Sequence, residues 1–342
     1  MPRTALLAPL DSTALAIQDE LLRARFVEIL SAEHAPNTFA AYKQDWKAFE
    51  SWLSARSRAV AEVTPGDVAA FLTHLELQKV TRGPHIGEPR RFSSIERAWF
   101  GVKYVLRAMH PWAREKVPPE VIAKTLDGIE RLRKEAPTKK RAISTSELAR
   151  IVEPCGEDLR GLRDRAILLL GWFAMMRRSE LADLEVRDLV FVPDGLRVKI
   201  RSSKQDQAGK GFEKPIYFNE SVRYCAVSTT RAWIERAGIG DEPKGLVFRA
   251  IPARGTVVGD RGLSGMAIWS IVKARCAAVG LDADLYGAHS MRAGGITAAA
   301  EAGKPVHSIQ GVSGHATVET LMGYIRPARL FDNEATKGIG PK

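Results

Sequence analysis

The sequence has few cysteines and lacks several patterns that define common protein classes. Its three cysteines, Cys155, Cys225 and Cys276, are far apart and odd in number, so they form neither a disulfide framework nor a CxxC metal site. The longest apolar run, 166–176, has 11 residues, well short of the ~20 that a membrane helix needs. The glycine pattern of a P-loop is also absent. These absences predict a cytoplasmic protein that does not span a membrane.

The length and the charge of the chain indicate two domains and a polyanionic partner. At 342 residues the chain exceeds one ordinary domain, and its 45% hydrophobic content is enough to fill real cores. The formal net charge is +11 and the isoelectric point is near 9.6. For a protein this basic, nucleic acid is the first candidate partner and an anionic membrane surface is the second.

Four segments are predicted along the chain: a flexible arm over 1–18, a helical domain over 19–133, a linker over 134–142 and a second domain over 143–342. In the helical domain, the apolar residues Tyr42, Trp46, Phe49 and Leu53 recur at helical spacing. A second such stripe consists of Ile95, Trp99, Val102, Leu106 and Met109. The helix N-caps are predicted at Asn37, Thr64 and Ser93.

The basic residues are concentrated beside the predicted linker. The segment 79–141 holds 16 Lys+Arg against 7 Asp+Glu, a net +9 out of the chain's +11. A charge run is often only a solvated face, but this concentration favours a surface that follows DNA phosphates. The candidate DNA-binding residues are Arg90, Arg91, Arg97, Lys103, Arg107, Lys139, Lys140 and Arg141.

The second domain is predicted to be mostly helical with a small antiparallel sheet. Ser144 and Glu147 form a capping box, and an apolar helix is predicted over 162–176. Short strands are predicted over 190–192 and 196–200, around a turn at 193–195, with a third strand near 216–218. The chain is then mainly helical to its end.

A set of residues suited to phosphate chemistry lies in this second domain. Arg177 follows the apolar helix, and the stretch from His289 to Tyr324 adds Arg292 and His315. An arginine fork grips a phosphate with two parallel hydrogen bonds, and a tyrosine can attack phosphorus once its proton is removed. Each of these residues alone could equally be a packing or surface residue, so the argument depends on the whole set.

This set resembles the tyrosine recombinase, or phage-type integrase, family. The motifs are Met176-Arg177-Arg178-Ser179-Glu180-Leu181, His289-Ser290-Met291-Arg292, and Gly314-His315 with Tyr324 nine positions later. The helical first half is similar to the core-binding domain of the family, so the likeness covers about 20–335. The context of Tyr324 is similar to that in Cre recombinase, which has tryptophan where His315 stands.

The resemblance implies a mainly α fold and six catalytic residues: Arg177, Lys204, His289, Arg292, His315 and Tyr324. Tyr324 would attack the DNA phosphate to form a 3′-phosphotyrosyl link, and the two arginines would stabilise the transition state. Lys204 would protonate the leaving 5′-oxygen, His289 would handle the proton of the tyrosine, and His315 would donate to the phosphate. No metal and no cofactor are expected. The expected partner is double-stranded DNA with specific recombination sites, bound by a homotetramer.

Some assignments stay open at the level of the sequence. Arg178 competes with Arg177 for the first arginine position, but the spacing to Glu180 selects Arg177. Lys204 could exchange roles with Lys210, because both lie on the polar stretch between the predicted strands. Met291 replaces the leucine more common in the family, which changes packing only.

Three other functions would each explain part of the sequence. A metal nuclease could recruit His289, His307 and His315, but no carboxylate cluster accompanies them. A DNA-binding accessory protein would explain the basic surface but not all six catalytic residue types. A resolvase or a type IB topoisomerase would share the same chemistry in another role.

Overall fold

The computed structural model describes residues 36–81, 86–109, 113–134, 140–201, 211–252 and 258–328. The chain divides into two compact units, Met1–Pro137 and Thr138–Lys342. This boundary lies within the stretch 134–142 that was predicted as a linker. The predicted arm, 1–18, lies outside the described residues.

The first unit is helical throughout the part that the structure describes. Its helices are α1 (Pro36–Ser54), α2 (Pro65–Leu77), α3 (Phe92–Met109), α4 (Ala113–Lys116) and α5 (Pro119–Arg133). Phe49 and Phe71 pack edge to face with ring centroids 5.0 Å apart, and both rings are buried. The predicted stripes of α1 and α3 supply much of this core, although Tyr42 is only half-buried.

The helix starts of the first unit correct two predictions. Thr64 caps α2 as predicted, because its hydroxyl accepts from the backbone N–H of Asp67. Asn37 lies inside α1, which begins at Pro36, a residue whose fixed φ suits a first turn. Ser93 lies inside α3, since the carbonyl of Arg91 already accepts the first helical hydrogen bonds.

The second unit combines helices with one three-stranded antiparallel sheet, so the predicted fold class is confirmed. Its elements are α6 (Thr145–Val152), α7 (Leu159–Phe173), α8 (Arg178–Ala182), β1 (Leu189–Val192), β2 (Gly195–Ile200), β3 (Phe212–Tyr217), α9 (Ala226–Ala237), α10 (Gly265–Ala278), α11 (Ala288–Glu301), α12 (Val306–Ser313) and α13 (Val318–Ala328). The capping box of Ser144 and Glu147 at the start of α6 is present as predicted.

The sheet has the order β1-β2-β3. A two-residue connection joins β1 to β2, because Val192 pairs with Gly195. Gly195 has φ of 154°, and a Cβ there would lie 2.0 Å from the carbonyl oxygen of Ile216, so this close approach requires glycine. β3 starts at Phe212, four residues before the predicted strand near 216–218. The prediction missed this start because Lys214 interrupts the apolar alternation of the strand.

Helix α7 forms the centre of the second unit. Its residues from Ala166 to Leu170 are fully buried. The helix runs over Leu159–Phe173 rather than the predicted 162–176, because Asp158 caps its start and the chain leaves helical geometry after Phe173. No helix among the described residues is long and apolar enough to span a bilayer.

A smaller apolar cluster holds the last three helices together. It is built from Met175, Ile296, Ala300, Ile309, Leu321 and Ile325. Through these contacts α11, α12 and α13 form one packed layer, which meets the end of α7 at Met175. The candidate site residues lie at this junction.

Candidate active site

The turn that follows α7 directs two backbone carbonyls toward buried cations. Met175 has φ of 49°, a left-handed conformation that non-glycine residues rarely adopt. Its carbonyl accepts a hydrogen bond from Arg292 Nη1 at 2.7 Å. The carbonyl of Ala174 accepts from Lys214 Nζ at 2.9 Å. The ending of α7 thus anchors side chains from α11 and β3.

Arg177 is held by a buried carboxylate. It stands just before α8, and its Nη1 lies 2.7 Å from Glu180 Oε1. Its Nη2 donates to the carbonyl of Gly314 at 3.2 Å. Burial by itself would raise the pKa of Glu180, but the charge of Lys214 and the hydrogen bonds from Arg177 outweigh that effect and lower it. Glu180 is therefore a carboxylate that orients the Arg177 guanidinium.

Arg292 and His315 form a second buried pair. Arg292 is 1% exposed, and its Nη2 lies 3.2 Å from His315 Nε2. Burial, followed by the charge of Arg177, lowers the pKa of Arg292 to about 10, so it remains a cation at neutral pH. The second ring nitrogen of His315, Nδ1, lies 2.8 Å from Ser313 Oγ. Arg292 can donate to His315 only if the imidazole is neutral and its Nδ1 carries the proton.

The electrostatics of the site keep His315 neutral. Burial, followed by the charges of Arg292 and Arg177, lowers the pKa of His315 to about 4. Gly314, which precedes His315, ends α12 with φ of 66°. A Cβ at Gly314 would lie 2.5 Å from the ring of Phe212, so the close packing of α12 on β3 depends on this glycine.

Tyr324 lies between the two histidines. Its hydroxyl is 2.8 Å from His289 Nε2, and its ring centroid is 5.6 Å from that of His315. Desolvation, followed by the charges of Arg292 and Arg177, lowers the pKa of His289 and favours the neutral imidazole. A neutral imidazole at hydrogen-bond distance can accept the proton of the phenol.

The structure therefore brings together five of the six predicted catalytic residues: Arg177, His289, Arg292, His315 and Tyr324. The sixth, Lys204, and its alternative Lys210 lie outside the described residues. Sequence reasoning missed Lys214, a residue of β3 whose Nζ lies 3.1 Å from Glu180 Oε2. Its signal was a lysine two positions before Ile216, on the inward face of the strand, but the strand had been predicted to start too late.

The candidate DNA-binding residues of the first unit have different environments. Arg91 and Arg107 are exposed, whereas Arg90 is half-buried. Arg97 forms a two-pronged ion pair with Asp45, at 2.9 and 3.0 Å. Lys103 lies over the ring of Phe100, with its Nζ 4.8 Å from the centroid.

The remaining candidates lie near the start of the second unit. Lys140 donates to the carbonyl of Asp284. Arg141 lies 3.1 Å from Glu147 and over the ring of Tyr286. Lys139 lies outside the described residues. Among the residues that the structure describes, no group of three His, Cys, Asp or Glu side chains is placed to hold a metal ion.

Comparison with known proteins identifies the family. The model of the phage integrase family matches residues 141–329, more than half of the chain, and that of the phage integrase N-terminal SAM-like domain matches 24–83. The chain belongs to the phage integrase family. It is a tyrosine-type site-specific DNA recombinase, which confirms the resemblance seen in the motifs.

Similar phage integrase family proteins come from several bacteria. The integrase/recombinase XerD homolog of Selenomonas ruminantium is 27% identical over 307 residues, covering 90% of this chain and 86% of that protein. Tyrosine recombinase XerD of Lacticaseibacillus casei is 25% identical over 307 residues, covering 89% and 92%.

Two solved structures share the fold at low sequence identity. The XerH site-specific recombinase in its post-cleavage complex with palindromic difH substrate has a TM-score of 0.57 at 15% identity, over 86% of this chain and 76% of that one. A lambda integrase dimer bound to a COC′ core site also has a TM-score of 0.57, at 16% identity, over 88% and 93%. These likenesses extend the fold assignment across both units.

Proposed function

We propose that the chain cuts and rejoins duplex DNA at specific recombination sites through a 3′-phosphotyrosyl intermediate on Tyr324. The observation that carries this proposal is the 2.8 Å contact between the Tyr324 hydroxyl and His289 Nε2, next to the buried Arg292–His315 pair. Together with Arg177, this arrangement offers a candidate nucleophile, a candidate base and two arginines around one place, which supports transesterification at phosphorus.

Cleavage begins with proton transfer from the Tyr324 hydroxyl to neutral His289. The phenolate oxygen forms a bond to phosphorus while the bond from phosphorus to the 5′-oxygen breaks. The electron pair of that bond leaves with the 5′-oxygen, which takes a proton from Lys204 or Lys210. Religation reverses these steps with the 5′-hydroxyl of another strand. The phosphodiester energy is conserved in the covalent link, so religation needs no ATP. The positive charge that stabilises the transition state comes from Arg177 and Arg292.

The other site residues stabilise the transition state. Arg177 and Arg292 bind the non-bridging oxygens, where negative charge increases as the tyrosine attacks. His315 adds a hydrogen bond to the same phosphate. Its Nε2 faces Arg292, so donation to the phosphate requires a change of tautomer or the uptake of a proton. The anion favours proton uptake, because a nearby negative charge raises the pKa of His315.

The proposed assembly is a homotetramer that holds two DNA duplexes. The first unit, with the exposed Arg91 and Arg107 on or beside α3, contacts the phosphate backbone together with the second unit. Four protomers would bring two recombination sites together. XerH is bound to palindromic difH substrate and the lambda integrase dimer to a COC′ core site, which supports a specific DNA site as the partner of this chain.

A cleavage assay with Tyr324→Phe tests the proposed function. A randomised duplex library is incubated with the protein, denatured, and searched for DNA that remains covalently attached. Wild type is expected to yield an adduct on a defined sequence, and Tyr324→Phe is expected to bind the same DNA without an adduct, because it lacks the nucleophilic oxygen. Tyr217→Phe, at an exposed position of β3, is the control and should react like wild type. An adduct on the Tyr324→Phe protein would contradict the assignment of the nucleophile.

A further inference from the structure

Lys214 is a fully buried lysine in the candidate active site. Its side chain has no exposed area. Its Nζ donates to Glu180 Oε2 at 3.1 Å, to the carbonyl of Ala174 at 2.9 Å and to the carbonyl of Met175 at 3.4 Å. All three protons of an ammonium group are thus matched by acceptors.

Stability of the fold does not by itself account for a lysine at this position. A lysine is rarely fully buried, because removing the ammonium from water is costly. Burial is the main cause that lowers the pKa of Lys214 to about 8, and the charges of Arg292 and Arg177 lower it further against the opposing effect of Glu180. Apolar residues of similar volume often replace buried ion pairs with no loss of stability.

Lys214 contacts the anchors of both arginines. On one side it binds one oxygen of Glu180, and the other oxygen of that carboxylate binds Arg177. On the other side it binds the Ala174–Met175 turn, and the carbonyl of Met175 also binds Arg292. One ammonium therefore connects the group that orients Arg177 to the group that orients Arg292.

We propose that Lys214 is a positioning residue that fixes Arg177 and Arg292 relative to each other for binding of the transition state. The inference rests on the proposed function. Because its Nζ is buried and bound to three protein oxygens, Lys214 acts through the arginines rather than on the DNA. Its role is separate from that of the general acid assigned to Lys204 or Lys210.

Lys214 also limits how far Glu180 neutralises Arg177. A carboxylate bound to a single guanidinium would cancel most of its charge. Here the same carboxylate is shared with a second cation, so Arg177 keeps positive potential for the phosphate. The fixed position of the arginines and the positive potential of Arg177 both matter more as negative charge develops on the phosphate in the transition state. We therefore expect Lys214 to have little effect on the Kd for DNA before the reaction.

The test compares Lys214→Met and Lys214→Gln with wild type. Lys199→Met, at an exposed position of β2 in the same sheet, is the matched control. The rate of covalent adduct formation is measured at saturating protein on a nicked duplex carrying the selected site, and the Kd for the intact duplex is measured separately. Both Lys214 variants are expected to react about 100-fold slower, the size of effect of losing one transition-state contact, with Kd nearly unchanged. The control should match wild type in both measurements.

A double-mutant cycle separates positioning from a merely structural role. If Lys214 acts through Arg177, the double variant Arg177→Ala with Lys214→Met should react nearly as fast as Arg177→Ala alone. Multiplied losses in the double variant would mean that Lys214 does not act through Arg177, and would overturn the proposal.

Other outcomes also decide the matter. A normal rate in Lys214→Met overturns the inference and leaves the proposed function intact. If thermal melting shows that both Lys214→Met and Lys214→Gln are unfolded, Lys214 is a folding residue and the inference is wrong. If the wild-type protein forms no adduct, the proposed function is wrong, and the inference about Lys214, which rests on it, is wrong as well.

Discussion

At the scale of single residues, the site has an excess of buried positive charge. Arg177, Arg292 and Lys214 share one carboxylate, that of Glu180. This imbalance suits a group that brings its own negative charge, and a DNA phosphate does so. Burial first, and then the repulsion of a further cation by Arg292 and Arg177, lower the pKa of His315 and keep it neutral.

The state of His315 makes stability depend on pH. Its pKa is about 4 in the folded protein and near 6.5 in the unfolded chain. Between these values the unfolded chain binds a proton that the folded protein does not. The free energy of unfolding should therefore fall as the pH decreases from 6.5 toward 4, by up to about 3 kcal/mol from this group. The lowered pKa of His289 acts in the same direction.

Urea unfolding at pH 7.0 and pH 5.0 measures this loss. His315→Gln should lose less stability on acidification than wild type, and the exposed His307→Gln, on α12, should behave like wild type. Equal losses in wild type and His315→Gln would mean that His315 is protonated in the folded state at pH 5.0.

Five of the predicted site residues lie close together in the structure, but the sequence did not indicate how all of them are held. His289 and Arg292 were predicted because they stand in a motif that resembles one of the family. Lys214 could not be found, because its inward direction depends on the register of β3 with β2. The left-handed turn at Met175 follows from the packing of α7, α11 and β3, and no local pattern indicates it.

At the scale of elements, the predicted capping residues marked two helix starts correctly and two incorrectly. Thr64 and Ser144 cap their helices, and each forms a capping box, with Asp67 and with Glu147 respectively. Asn37 and Ser93 lie inside helices that begin at Pro36 and Phe92, although Ser93 has the capping-box spacing to Glu96. The spacing alone therefore does not fix a helix start, because a cap also requires extended backbone at the capping residue.

Charged residues on or beside α3 should differ in function according to their partners. Arg91 and Arg107 are exposed, so replacing both by alanine should weaken binding to all DNA sequences and reduce the slope of log Kd against log salt by about two. Arg97 is paired with Asp45, which is buried, so Arg97→Ala should lower stability by about 1 kcal/mol and change the salt slope less.

Salt titrations of DNA binding and thermal melting of the same variants check this division. A large change of slope in Arg97→Ala without a change of melting temperature would show that Arg97 leaves Asp45 to contact phosphate. An effect of Arg91 and Arg107 on one DNA sequence only, with the slope unchanged, would indicate base reading instead.

At the scale of the whole molecule, the fold class was predictable because the spacing of apolar residues indicates whether a segment forms a helix or a strand. The proposed homotetramer depends on the C-terminal segment with Leu330, Phe331 and Ile339, which lies outside the described residues. We propose that this C-terminal segment docks on a neighbouring protomer and closes a ring of four.

Deletion of residues 330–342 tests the assembly. The truncated protein is expected to fold and to bind one DNA site as a monomer, but not to form tetramers on paired sites or to recombine them. Light scattering of the complexes measures the stoichiometry. Full-length protein with Leu330→Ser and Phe331→Ser keeps the chain length and should show the same loss. Tetramers of the truncated protein, or its unfolding, would contradict the docking proposal.

The surplus of buried cations has a consequence for laboratory evolution. Burial and the charge of Arg177 both disfavour the Arg292 cation in the folded state, so a screen that rewards heat resistance alone would not select against clones that have lost it. Such clones would be robust and inert. A selection scheme for improved variants of this enzyme must therefore reward strand exchange and thermal tolerance in the same round.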